Sequence, residues 1–388
     1  MPHVHGLDEA AARSASAAAD TARAVLARHA GDVDARARFP EESLTALAER
    51  GLLGLCVPPG LGGAGQGPRA FAAVVEELAQ GCASSAMIYV MHVAAAQAIA
   101  ASTTLAGRDD VLRDVARGRH LSTLALSERG SRSQFWAPVS RLEAGDGGWV
   151  TSASKSWVTA AGRAASYVSS AQKPGAASPL ESTIYLVRTG VPGVRVAAGF
   201  DGLGLRGNDS APVEVEGLRV TKGDLMTEQG AGAKMMLEVI LPWFAIGSAA
   251  LGNGLCRAAV AATASHLSGQ GFAHTGGLLR DLPNLRARLA EMSVRTEQAR
   301  ALLGHTLGLV EEGAEQAPVF VLQSRLAALE VAVDVTDLAM KTCGGAAFSK
   351  HLPVERLFRD ARAGWVMAPT VDHLHDFIGR ALTGLPLF

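Results

Sequence analysis

No short motif in this chain spaces its reactive side chains for a recognisable chemistry. There is no phosphate-binding G-x-x-x-x-G-K loop, no H-E-x-x-H pair and no G-x-S-x-G elbow. The 11 histidines are scattered. His373 and His375 stand two apart, which on a helix puts them on different faces and makes a poor metal pair, so no metal site is expected. Gly60, Gly62, Gly63 and Gly65 follow no strand and open no dinucleotide-binding unit, so they are expected to form a surface loop. Cys56, Cys82, Cys256 and Cys343 form no C-x-x-C pair and are expected as reduced thiols acting as small hydrophobes.

Any site must therefore be assembled by the fold from residues distant in sequence. With 388 residues, 48% of them hydrophobic, the chain can bury a substantial core. Its 36 Lys and Arg balance 37 Asp and Glu, which argues against a nucleic-acid or anionic-membrane partner. The apolar stretch at 87–101 is interrupted by His92 and Gln97, too short and polar for a membrane span. Met1 to Glu9 lacks the apolar run of a signal peptide, so a cytoplasmic protein is expected.

Residues 8–38 are Ala-rich and read as helix. Pro40, Glu41 and Glu42 are helix-start chemistry: proline in the first turn and acids against the dipole. Helical spacing returns at 70–103 and 111–116. From about residue 121 the texture changes to short runs (121–127, 148–152, 167–171, 182–187, 194–196 and 213–220), many alternating and rich in Val, Tyr or Thr, as in an antiparallel β domain. After Gly232 helical texture persists to Arg380. The order is helical, β, helical.

Several longer segments carry more information. These are Phe39 to Glu42, Gly51 to Pro58 with Gly62 and Gly63, and Leu126-Ser127-Glu128 with Gly130 and Ser133. Ser154 to Thr159, Gly202 to Gly207, Gly344-Gly345 and Pro353 to Arg362 complete the set. Taken in this order, over 39–388, they resemble the acyl-CoA dehydrogenase family. The resemblance implies an α+β fold: an N-terminal helical domain (1–120), a central antiparallel β domain (121–228) and a C-terminal four-helix bundle (229–388). It also implies FAD. Leu126 and Ser127 would meet the flavin ring and Ser133 the pyrophosphate. Trp157 would pack on the isoalloxazine and Thr159 would bond near its reactive nitrogen. Lys341, Gly344, Gly345, Thr370 and Asp372 fall where family members touch FAD across a subunit boundary, implying a homodimer or homotetramer. An acyl thioester, on CoA or a carrier protein, would be the substrate, and an electron acceptor would follow.

The departures are chemical. The family's catalytic Glu position, counted from Arg359 to Arg362, is Ala368, and the alternative position on a central helix falls on Pro242 or Trp243. Neither place has a base. Glu238, four residues before Pro242, is the best replacement, projecting from the same face one turn away if the helix is regular. Asp372, His373 and His375 are weaker candidates. Pro242 is expected to kink that helix. Arg129 and Arg132 replace Pro and Gly of the flavin loop and could pair with an acidic substrate group or a carrier phosphate. The loop from Phe272 to Gly276 keeps its glycine but lacks the family's Arg. Three functions therefore stand: thioester dehydrogenation with a non-standard or relocated base, flavin-dependent hydroxylation or elimination, and a catalytically silent binding protein.

Overall fold

The Ala-rich N-terminal stretch folds as helix because little in it competes with helical backbone. The structure is a computed structural model and describes residues 5–199 and 201–387. The Glu9–Thr21 helix begins at Asp8, whose carboxylate accepts from the Ala11 N–H at 2.8 Å. A π turn, Ala22–Leu26, leads into Ala27–Ala35. Glu41–Glu49 follows Pro40 with Glu41 and Glu42 in its first turn, and Pro68 opens Pro68–Gly81. Ala83–Ala101 and Arg108–Ala116 complete this region.

The Ala83–Ala101 helix and the run Gly232–Gly269 are long and apolar enough to cross a bilayer. However, 83% and 72% of their apolar windows are buried inside the chain, which accounts for their composition as core helices. Glycines bring the two regions into contact. A Cβ on Gly254 would stand 2.5 Å from the Glu76 carbonyl oxygen, and one on Gly247 would stand 2.7 Å from Val90.

The central region contains β1 (Ser122–Ala125), β2 (Glu143–Gly145), β3 (Gly148–Val158), β4 (Ser166–Gln172), β5 (Ser182–Arg188), β6 (Val194–Val196) and β7 (Ala211–Val220). They form two sheets, ordered β1-β4-β5 and β2-β3-β7-β6. Pairing is antiparallel as expected, except that β1 runs parallel to β4. The exception follows from connectivity. The chain leaves β1 through a long loop, builds β2 and β3 in the other sheet, and re-enters beside β1 in the same direction.

Three long helices, Leu241–Gly269, Pro283–Glu311 and Ala317–Cys343, pack with Val371–Leu382 as the C-terminal helical unit. Their core is continuous with that of the N-terminal helices, with Phe71, Val74 and Leu78 in one cluster with Ala249, Leu251 and Ala328.

One buried polar node joins these layers. Glu76 is fully buried and accepts from Arg257 and Arg300, each at 2.8 Å, with His5 Nε2 at 2.9 Å. Burial raises its pKa, but His5 and the two arginines outweigh that and hold it at about 2. A depressed folded-state pKa contributes stability above the unfolded value that is lost as pH falls through the folded one. Stability is therefore expected to drop by roughly 3 kcal/mol between pH 5 and pH 2 from this group alone. Denaturation midpoints across that range check it, and Glu76→Gln should flatten the profile while lowering stability at neutral pH.

Candidate functional site

Three of the segments that the sequence singled out, around Leu126 to Ser133, Ser154 to Thr159 and Gly204 to Leu205, converge on one cavity of about 950 Å³. The end of β1 supplies Leu124 and Leu126, the following loop Ser127 to Ser133, and the end of β3 Ser154 to Trp157 and Thr159. Gly204 and Leu205 close one rim, Ile240, Leu241 and Phe244 form a helical wall, and Ala363 and Val366 to Ala368 form another.

A buried ion pair fixes the loop. Lys155 Nζ donates to Glu128 Oε1 at 2.6 Å and to the Ser170 carbonyl at 2.7 Å. Glu128 also accepts from the Val139 and Ser140 N–H groups, each at 2.7 Å, and from the Ser140 hydroxyl at 2.6 Å. Burial works against the Glu128 charge, but Lys155 and these donors prevail and hold its pKa below the ordinary carboxylate range. Backbone bonds then zip the loop to β3: Ser156 N–H donates to the Ser127 carbonyl at 2.9 Å, and Arg129 N–H to the Ser154 carbonyl at 3.0 Å.

The backbone is strained here. Eight non-glycine residues among those described have positive φ, and four of them, Arg132, Ser133, Trp157 and Leu205, line this cavity. Each such residue costs on the order of 1–3 kcal/mol, and such strain concentrates at ligand sites. A register shift in β3 between Lys155 and Val158 turns Trp157 out of the sheet. Its ring is 61% exposed on the cavity side, whereas Thr159 is buried.

These features fit a flavin. An exposed indole offers a flat wall, and the Ser127, Ser133 and Thr159 hydroxyls make no hydrogen bond within the described residues, leaving them available to ring heteroatoms or phosphate. Arg129 and Arg132 are exposed at the same rim with no acidic partner among the described residues. Met87, Met91, Leu124, Phe135, Leu241 and Phe244 give the same cavity an apolar lining that suits an acyl chain.

The other candidates lie elsewhere. Glu238 is outside the cavity lining, 65% exposed, with Lys234 at 3.9 Å. The same-face argument fails because Met236–Ile240 is a π turn, whose wider winding breaks the four-residue register to Pro242. The same turn adapts the helix to Pro242, which sits in the first turn of Leu241–Gly269. Lys341 is exposed and pairs with Asp337 at 2.6 Å. Gly344, Gly345, Thr370 and Asp372 are likewise absent from this chain's cavity wall; Thr370 instead caps Val371–Leu382. His375 pairs with Glu330 at 3.0 Å on the surface, and His373 packs on Trp136 and Phe377. Ala368 does line the cavity. Its only lining carboxylate among the described residues is Glu128, which is fully engaged.

Sequence reasoning missed one charged residue beside this wall, Arg325. It is completely buried, and its guanidinium carbon lies 4.8 Å from the centre of the Phe244 ring. A cation between buried Leu322 and Leu329, at helical spacing, was the available signal.

The chain matches three family models in order: acyl-CoA dehydrogenase N-terminal domain over residues 8–119, middle domain over 123–218 and C-terminal domain over 230–383. It is 29% identical over 334 residues to the mitochondrial short-chain specific acyl-CoA dehydrogenase of Bos taurus, covering 86% of this chain and 80% of that one. It is 26% identical over 360 residues to a probable acyl-CoA dehydrogenase of Mycobacterium leprae, covering 92% and 91%. Its fold superposes on butyryl-CoA dehydrogenase from Megasphaera elsdenii with a TM-score of 0.92 at 23% identity, covering 97% and 99%.

Proposed function

Since this chain belongs to the acyl-CoA dehydrogenase family and is an FAD-dependent oxidoreductase, we propose that it oxidises an acyl thioester, on CoA or a carrier protein, without a carboxylate base on its own cavity wall. The supporting observation is one cavity that is lined both by Ser127, Ser133, Trp157 and Thr159 and by apolar residues that include Ala368. Bound FAD would supply the hydride acceptor for such an oxidation. Leu126 and Ser127 would hold the ring edge, Trp157 its face, Thr159 the side near the reactive nitrogen, and Ser133 a phosphate. Arg129 and Arg132 would grip an anionic group of the thioester carrier at the rim. Met87, Met91, Leu241 and Phe244 would exclude water from the acyl chain.

The reading includes a second copy of the chain. Lys341, Gly344, Gly345, Thr370 and Asp372 would complete the cofactor site of a neighbouring protomer. The exposed Phe348, Trp365, Val366 and Leu382 near them give that partner an apolar surface to cover. An external electron acceptor would restore the oxidised cofactor.

The test is the absorbance spectrum of the purified protein, followed by anaerobic titration with acyl-CoA thioesters. Bleaching of the flavin band supports dehydrogenation. The vacant base position also favours a second reading, hydroxylation or elimination on the same fold; a bound flavin that no thioester bleaches would favour it. Trp157→Ala is expected to weaken flavin retention about tenfold, as loss of one aromatic wall does. Flavin release on dilution measures this.

A further inference from the structure

Two sets of buried charges among the described residues are paired with opposite charge, and Arg325 is not. Glu76 holds two arginines, and Lys155 holds Glu128. Arg325 is 0% exposed and makes one hydrogen bond, from Nη2 to the Met367 carbonyl at 3.0 Å. Its Nε and Nη1 have no hydrogen-bond partner among the described residues. No acidic group forms an ion pair with it among the described residues, and burial alone pulls its pKa down to about 9. A desolvated guanidinium with two idle donors is costly and calls for an anion.

Arg325 stands behind the cavity wall, in contact with residues that form it. Phe244, against which the guanidinium stacks, and Met367, whose carbonyl it holds, both belong to the cavity wall, as does the next residue, Ala368. Among the described residues the only carboxylate lining the cavity is Glu128, already engaged by Lys155 and Ser140. An acyl group carrying its own carboxylate supplies what is missing, because a carboxylate oxygen accepts a charge-assisted hydrogen bond from an idle guanidinium N–H. We propose that Arg325 is the receptor for a carboxylate borne by the acyl portion of the substrate, making the preferred ligand the monothioester of a short dicarboxylic acid. This rests on the thioester reading above and narrows its substrate class.

The experiment compares binding of glutaryl-CoA and valeryl-CoA, equal in chain length, to the anaerobic FAD-loaded protein by perturbation of the flavin absorbance. Glutaryl-CoA is expected to bind about 100-fold tighter, and Arg325→Met to erase that preference while leaving valeryl-CoA binding within about threefold. Arg325→Lys should keep part of it. Equal binding of the two thioesters to the unmodified protein overturns the proposal without need of a variant, and so does a preference that survives in a folded Arg325→Met. A separate arm uses free glutarate, which should raise the melting temperature of the unmodified protein and not that of Arg325→Met. Glutarate stabilisation with no thioester binding would keep the anion site and sink the thioester reading. Thioester bleaching with no carboxylate preference would do the reverse.

Discussion

Ala368→Glu is expected to speed anaerobic bleaching of the flavin by saturated acyl-CoA thioesters about 100- to 10,000-fold, the usual contribution of a positioned general base. The geometry supports a gain of that order. Ala368 lines the cavity together with Leu241 and Phe244. The segment carrying it is held in place: Met367 accepts from Arg325, and Gly364 sits where a Cβ would stand 2.7 Å from Leu329. A carboxylate introduced there follows the residue whose carbonyl holds Arg325, and a guanidinium that close favours the ionised form. Ala368→Gln, similar in shape but unable to take a proton, is the control. Rapid-mixing absorbance gives the rate. If Glu and Gln variants bleach alike, proton removal does not limit this chain, and the hydroxylation or elimination reading gains.

Lys155→Met is expected to have the largest structural effect. It leaves Glu128 buried, charged and short of one donor, and breaking a buried pair from one side costs about 3–5 kcal/mol. The loss concentrates on the loop from Ser127 to Ser140, which Glu128 gathers through Val139 and Ser140. The variant should therefore lose flavin at lower denaturant than it unfolds. Denaturation followed by flavin fluorescence and by circular dichroism separates the two events. Adding Glu128→Gln should recover much of the stability, because no charge is then stranded. Coincident transitions would mean that the pair supports the fold at large rather than this loop.

The strands were legible where Val, Tyr and Thr alternate, so β4, β5 and β7 follow their sequence runs within a residue or two at most ends. β2 was not, since its three residues, Glu143 to Gly145, are all exposed and it has no buried face to impose a pattern. The parallel partnership of β1 and β4 was also illegible, because it is set by the route of the intervening chain and not by either strand's composition. At the site, Leu126, Ser127, Ser133, Trp157 and Thr159, which the resemblance assigned to a flavin, all line one cavity. The resemblance did not foretell the pairing of Glu128 with Lys155, since both stood in segments read for other residues. Arg325 was hidden by its neighbours: in a helix full of Leu, Ala and Val, one cation passes as a surface residue until burial is known. Glu238 was misplaced because a regular helix was assumed across Pro242.

That irregular turn also bears on how this chain is compared with its kin. A π turn accommodates one more residue than the α turn it replaces while leaving the helix axis on course. A relative with one residue fewer at 236–240 would overlay this helix on both sides and differ only within the turn. The gap in an alignment then belongs inside those five residues. Placed a few positions later, it assigns Pro242 or Trp243 the history of its neighbour, and a proton acceptor transferred from a relative by column lands on the wrong side of the helix. Functional residues along this stretch are better matched by which side chains border the cavity, where Ile240, Leu241 and Phe244 are the landmarks.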